Sequence, residues 1–268
     1  MIRKGDILRL GSQTIMCGDS RDPAQVARLL KDVKPATMFT SPPYLSQRVY
    51  AEAIGEWLPM MVQATLAPVM ADDAQIFVNL GPCHKDGEWV PYWEPWLQAV
   101  RKHGWRRFQL CIWDKRTAIQ GHFHGRLAPQ HEFVFHLNKT APLLNKTQPC
   151  LISGTPKKRK PYNRERQSKW ALSKRADAPV QPFKVIGSVV RAGTHTSRQW
   201  DHPAIMGVDL AIQFLNFYAR PNGTVYEPFL GSGTTLVACH RLGLRGFGME
   251  QSAEYCNIAA ERLAKEMD

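Results

Sequence analysis

The residues best equipped for chemistry fall in two short stretches far apart in the chain. Thr40-Ser41-Pro42-Pro43-Tyr44 directly follows the apolar run ATMF. Neither proline has a backbone N–H to give to a strand ladder, so the strand ends in a rigid corner. The Ser41 hydroxyl stands on one side of that corner and the Tyr44 ring on the other. Near the opposite end, TVYEPFLGSGTT (224–235) sets Gly231-Ser232-Gly233 between a strand and a helical run. Glycines at such a turn let a ligand approach the backbone, and the helix N-terminus favours an electronegative group. Leu236 stands where a dinucleotide fingerprint has its third glycine, and no Lys-Ser/Thr pair follows at P-loop spacing. Glu250 ends the next strand, 23 residues after Glu227. A doubly wound sheet sets a carboxylate there to accept hydrogen bonds from a ribose diol. A nucleoside-containing cofactor is the reading these residues support together, with Glu227 placed to meet a cationic group such as an α-amine. Taken singly, each stretch is an ordinary turn.

These turns need a scaffold, and the rest of the chain alternates regularly. Strands are predicted at 14–19, 36–41, 74–81, 107–115, 131–139, 224–229 and 244–250, several of them short, nearly continuous apolar runs. Between them, helices are predicted at 22–32, 54–70, 88–103, 207–220, 234–242 and 252–265, the first opened by Asp22 as N-cap and Pro23 at N1. Alternating strands and helices imply an α/β domain with a mainly parallel, seven-stranded sheet.

Charge is distributed unevenly. The chain of 268 residues carries a net charge of +12, which favours a polyanionic partner, nucleic acid ahead of a membrane surface or an acidic protein. Between Lys139 and Lys184 stand twelve basic residues and only two acids, Glu165 and Asp177. Lys157, Lys158, Arg159, Lys160, Arg164 and Arg166 form the densest part, and Tyr162, Trp170 and Phe183 are interleaved with the run. Aromatics beside Lys and Arg suit base and phosphate contacts together; a solvated linker is the bland alternative. The six cysteines form no CxxC pair and lie mostly in apolar segments, as reduced thiols of a cytoplasmic protein would. No apolar stretch reaches 18 residues, so a soluble protein without a membrane partner is expected.

Taken together, EPFLGSGTT, the acidic end of GFGME and TSPPY resemble the S-adenosylmethionine-dependent DNA amino-methyltransferases, which modify cytosine N4 or adenine N6. The order, proline motif first and glycine loop last around a basic segment, is similar to the permuted β-group arrangement, and the resemblance runs from about Gly11 to Arg262. It implies a Rossmann-like methyltransferase fold with circularly permuted motif order. Residues 1–139 would be the catalytic half, 140–195 a basic target-recognition insert, and 196–268 the cofactor half. It further implies that Phe229, Gly231, Ser232, Gly233 and Thr234 form the methionine-side loop, with Glu227 near the amino group. Glu250 would hold the ribose hydroxyls, and Asp19 would accept from the adenine; alone, Asp19 reads as a turn or N-cap residue. Ser41, Pro42, Pro43 and Tyr44 would be catalytic, the basic run would contact double-stranded DNA, and no metal is required. His202-Pro203-Ala204 is similar to the helical segment ahead of the glycine loop, with Met206-Gly207 where Phe-Pro is common. Neither a homodimer nor a cognate restriction endonuclease is decided by the sequence.

The chemistry such a corner would perform is specific. An exocyclic amine conjugated to its ring is a poor nucleophile because its lone pair is delocalised. The Ser41 hydroxyl and a carbonyl of the Pro42-Pro43 corner can accept its two N–H bonds and draw the nitrogen toward a tetrahedral shape. Tyr44 offers a stacking face for a base flipped from the duplex. In the family it resembles, a serine at this position leans to cytosine N4, with adenine N6 the alternative. Other readings remain in view. C5 methylation would use a cysteine after Pro82 or Pro149. RNA fits the same kind of pocket. His122, His124, His131 and His136 have a zinc-like spacing, although His131 and His136 fall on opposite strand faces. A non-catalytic DNA-binding protein on the same fold completes the set.

Overall fold

The apolar runs fold into one large sheet with helices on both faces. The structure, a computed structural model, describes residues 1–44, 57–118, 121–145, 148–149, 182–194 and 206–267. In chain order the first elements are β1 (Ile7–Leu10), β2 (Gln13–Cys17), α1 (Pro23–Leu30), β3 (Thr37–Thr40), α2 (Trp57–Leu66) and β4 (Gln75–Leu80). There follow β5 (Cys83–Lys85), β6 (Glu88–Val90), α3 (Glu94–Lys102), β7 (Arg106–Asp114), β8 (His131–Asn138), β9 (Gln148–Pro149) and β10 (Phe183–Lys184). The last are β11 (Val189–Arg191), α4 (Val208–Tyr218), β12 (Thr224–Glu227), α5 (Thr234–Arg241), β13 (Arg245–Glu250) and α6 (Ala253–Met267).

The main sheet has nine strands in the order β1-β2-β13-β12-β3-β4-β8-β7-β11. Its central seven are the seven strands expected from the sequence. The additional two are short edge strands: β1 is half-exposed and pairs on one side only, so it lacks an apolar run to announce it. Only β1 and β8 run against the others. The carboxyl ends of β2, β13, β12, β3, β4 and β7 therefore share one edge with the amino end of β8, and ligands of open α/β sheets bind at such an edge. The two sequence halves interleave there, since β2 lies beside β13 and β3 beside β12.

Side chains alternate between two cores. Phe39 and Phe77 face α4, α5 and α6, and Phe214 closes on both at ring separations of 5.7 and 5.3 Å. Met38, Ile76 and Val78 face α1, α2 and α3. Helix α1 begins as its sequence requires, with Asp22 accepting from the Ala24 N–H and Pro23 at N1. One expected element is corrected: residues 88–90 are a strand, and the helix expected from 88 starts at Glu94. Asp86 and Gly87 both have positive φ, 52° and 83°, which closes a β5–β6 hairpin, and Pro91 then ends the pairing. Among the described residues no helix is long and apolar enough to cross a membrane.

Candidate active site

Two clusters line the shared edge, and Thr40 joins them. The first surrounds the glycine loop. Glu227, at the end of β12, is almost fully buried, yet three donors converge on it: the Thr40 and Thr235 hydroxyls and the Phe229 N–H at 2.9 Å. Burial outweighs these bonds and, with Glu250 nearby, pushes its pKa up to about 7. A carboxyl group raised in the folded state binds its proton more tightly than in the unfolded chain. Its stabilising contribution is thus complete below about pH 4.5 and is lost as pH rises through about 7. Thermal unfolding of the ligand-free protein should show a loss on the order of 3 kcal/mol across that window. The same scan of Glu227→Gln should lack this component.

Glu250 ties the loop from the neighbouring strand. Its carboxylate accepts from the Gly231 N–H at 2.9 Å and the Ser252 N–H at 3.0 Å, the latter just ahead of α6. Gly233 has φ 84°, and a Cβ there would stand 3.0 Å from the Ala259 Cβ of α6. Ser232 and Thr234 turn their hydroxyls inward to the buried guanidinium of Arg262, at 3.2 and 3.0 Å. The Ser232 carbonyl also accepts from Arg262, at 3.2 Å. Phe229 packs beside the α1–α3 core, as Tyr44 does. Asp19 follows β2 beside Glu250, and both its oxygens are taken by Arg21, the closest contact being 2.7 Å. Burial would raise the Asp19 pKa, but those Arg21 bonds win and hold it below its usual value. The N-cap of α1 is Asp22, so Asp19 has a turn role, accepting from the Arg21 backbone N–H at 2.9 Å.

The second cluster is the proline corner. Trp57 donates its indole N–H to the Pro43 carbonyl at 2.8 Å and packs edge-on to Tyr92, whose hydroxyl donates to the Gly81 carbonyl at 3.0 Å. A Cβ on Gly81 would come within 2.8 Å of the Tyr44 ring, so the end of β4 must be glycine for the ring to lie there. Among the described residues the Ser41 hydroxyl is only weakly held, 3.4 Å from both the Tyr44 hydroxyl and the Asn79 amide nitrogen. Asn79 also has a buried carbonyl oxygen with no partner among the described residues. The Tyr44 hydroxyl donates to Glu132 at 2.7 Å; burial first, and that carboxylate second, push its pKa well above an ordinary phenol.

Every residue expected in the two motifs is thus on one edge. The residues that hold them, Thr40, Trp57, Asn79, Lys115, Glu132, Thr235 and Arg262, were not singled out from the sequence as site residues. Lys157, Lys158, Arg159, Lys160, Arg164 and Arg166 lie outside the described residues, as do His202-Pro203-Ala204 and Cys150. Cys83 is buried, its sulfur 4.0 Å from the Gly81 carbonyl. His136 is enclosed by Phe77, Phe108 and Tyr218, and burial drives its pKa down to about 3, so it stays neutral. His131 is exposed, and among the described residues no cluster of three His, Cys, Asp or Glu is placed for a metal ion.

Comparison with known proteins places this geometry. The sequence pattern of a family described as DNA methylase, covering the N6 and N4 enzymes, matches residues 36–261. The chain is 24% identical to the type II methyltransferase M.Cfr9I of Citrobacter freundii over 99% of its length and 92% of that protein. It superposes on the PvuII cytosine-N4-specific DNA methyltransferase with a TM-score of 0.63 at 16% identity, covering 95% of this chain and 90% of that one. The M1.HpyAVI–SAM complex gives a TM-score of 0.61 at 18% identity, covering 93% and 99%.

Proposed function

The chain belongs to the DNA methylase family of N6 and N4 methyltransferases, and from that premise we propose that it methylates the exocyclic amine of a flipped base in DNA, cytosine N4, using S-adenosylmethionine. The observation that carries the reading is the single edge shared by the glycine loop and the proline corner, joined through Thr40 and Glu227.

The residues fit the cofactor. The donor set offers a carboxylate at Glu250 for a diol, a second at Glu227 for an ammonium, and a loop at Gly233 where a side chain has no room. Carboxylates accept several hydrogen bonds each, so the ties of Glu250 to Gly231 and Ser252 are compatible with holding ribose hydroxyls. When bound, S-adenosylmethionine supplies an electrophilic sulfonium methyl. An ammonium beside Glu227 favours its ionised form, so cofactor affinity should rise with pH across the same window in which the free protein loses stability.

The chain's own part is to prepare the amine. The weakly held Ser41 hydroxyl and a carbonyl of the Pro42-Pro43 corner form the acceptor pair, and Trp57 fixes that corner through the Pro43 carbonyl. Two fixed acceptors localise the nitrogen lone pair, and the Tyr44 face receives the ring. Attack then depends on positioning, without a covalent protein intermediate. The base assignment rests on Ser41; the PvuII enzyme is cytosine-N4-specific, but at 16% identity that likeness extends to the fold alone. Adenine N6 is the second reading, since a hydroxyl accepts from either amine.

The test is incubation with methyl-labelled S-adenosylmethionine and either duplex DNA of varied sequence or RNA. Label in DNA is expected. Label in RNA alone, or none in either despite measured cofactor binding, would overturn the proposal.

A further inference from the structure

Behind the proline corner lies a set of charged and polar groups that the transfer chemistry does not by itself require. Glu132 is the second residue of β8 and is nearly fully buried, with only 8% of its side chain exposed. One oxygen, Oε2, accepts from both the Tyr44 hydroxyl at 2.7 Å and the Asn79 amide at 2.6 Å. The other, Oε1, accepts from the Lys115 ammonium at 2.5 Å. Lys115 is buried to nearly the same degree and sits over the Trp113 ring, 5.1 Å from its centroid. Asn79 in turn donates to the Tyr44 hydroxyl at 2.9 Å and reaches Ser41 at 3.4 Å.

A buried ion pair costs more to desolvate than an apolar pair of similar shape, so its presence is poor evidence of a stabilising role. A carboxylate that takes two neutral donors on one oxygen does something an apolar pair cannot: it fixes where those donors point. It settles the Asn79 amide with its nitrogen toward Ser41 and Tyr44, since the reverse orientation would face two oxygens with each other. It likewise fixes the Tyr44 hydroxyl, and with it the ring plane, against an end of β4 that leaves no room for a side chain. We propose that Glu132 is a positioning residue for methyl transfer, acting through Tyr44 and Asn79 on the Ser41 corner, with Lys115 as its counter-charge. The proposal rests on the methyltransferase reading for its catalytic consequence, but not for the hydrogen bonds themselves.

The test uses two neutral double variants of the full chain. The first, Lys115→Met with Glu132→Gln, keeps an acceptor for Tyr44 and Asn79 and removes both charges. The second, Lys115→Met with Glu132→Met, removes the acceptor as well, and neither variant strands a buried charge. Single-turnover methyl transfer should stay within about tenfold of the wild type for the first variant and fall by about a further hundredfold for the second. Cofactor affinity should be unchanged in both. Equal turnover in the two variants would overturn the proposal.

A second readout does not depend on activity. Tyr44→Phe should lower the thermal unfolding midpoint more in the Glu132→Gln background than in the Glu132→Met background, where only the bond from Asn79 is left to lose, Lys115→Met being present in both. The same shift in both backgrounds would refute the bond on which positioning depends. A wild-type protein that binds cofactor but transfers no methyl group would count against the functional reading, while this coupling would still decide the role of Glu132.

Discussion

Ser41→Ala should bind S-adenosylmethionine and DNA as the wild type does and turn over roughly 10²–10³-fold more slowly, the usual cost of removing one group that acts only in the transition state. The expectation follows from how loosely the hydroxyl is held. Both of its hydrogen-bond neighbours among the described residues are 3.4 Å away, beyond the range of a strong O–H hydrogen bond, so among them its removal strands no tightly bound partner. Nor does it disturb the corner, which Trp57 holds through the Pro43 carbonyl. The loss should therefore appear in kcat, with little change in KM for either ligand. A variant that kept full turnover would remove Ser41 from the acceptor pair. A loss confined to KM would make it a binding residue.

The second large effect is expected at the glycine loop. Gly233→Val places a β-branched side chain at φ 84° and drives its Cβ to 3.0 Å from the Cβ and 3.2 Å from the Cα of Ala259, a backbone atom of α6 that has nowhere to go. The loop must move, and with it the Gly231 N–H held by Glu250. Cofactor affinity should fall by at least about tenfold, equivalent to about 1.4 kcal/mol, and the unfolding midpoint should drop as well. Gly243→Ala is the matched control: its φ is 66°, but the added Cβ meets nothing within 4 Å. That variant should lose stability through backbone strain and keep its cofactor affinity. Calorimetric titration of both proteins separates the two effects. Equal affinities would mean that the loop does not touch the cofactor.

How much of this was legible in the sequence depends on the reach of each signal. TSPPY and LGSGTT could be read because turn chemistry is local: prolines stop a ladder and glycines open a loop whatever surrounds them. Most of the central strands were legible because strands covered on both faces are nearly continuous apolar runs; β7 is the exception, exposed from Arg106 to Leu110. The β5–β6 hairpin was missed although Asp86-Gly87 is a strong turn signal, because the run after it was read as part of a long helix across Pro91. The network behind the corner was harder. Tyr44 and Glu132 are 88 positions apart and Asn79 and Glu132 are 53 apart, so no spacing rule joins them. One signal was available. In HEFVFHLN, Glu132 falls in phase with Val134, a buried residue, and an acid on the inward phase of a strand has to be compensated by something. Lys115 likewise continues the inward phase of Cys111 and Trp113. Asp19 illustrates the opposite case: its turn and its pairing with Arg21 are what the local sequence GDSRDP dictates.

The central claim is that this edge prepares an exocyclic amine for methyl transfer, and the most direct measurement is the chemical identity of the modified base. Duplex DNA methylated by the protein with labelled S-adenosylmethionine would be digested to nucleosides and separated by mass spectrometry. The account predicts labelled N4-methylcytosine. Labelled N6-methyladenine would retain the corner but contradict the serine argument, and labelled 5-methylcytosine would contradict the account itself, because carbon methylation requires a nucleophile that neither Ser41 nor the proline carbonyls can provide.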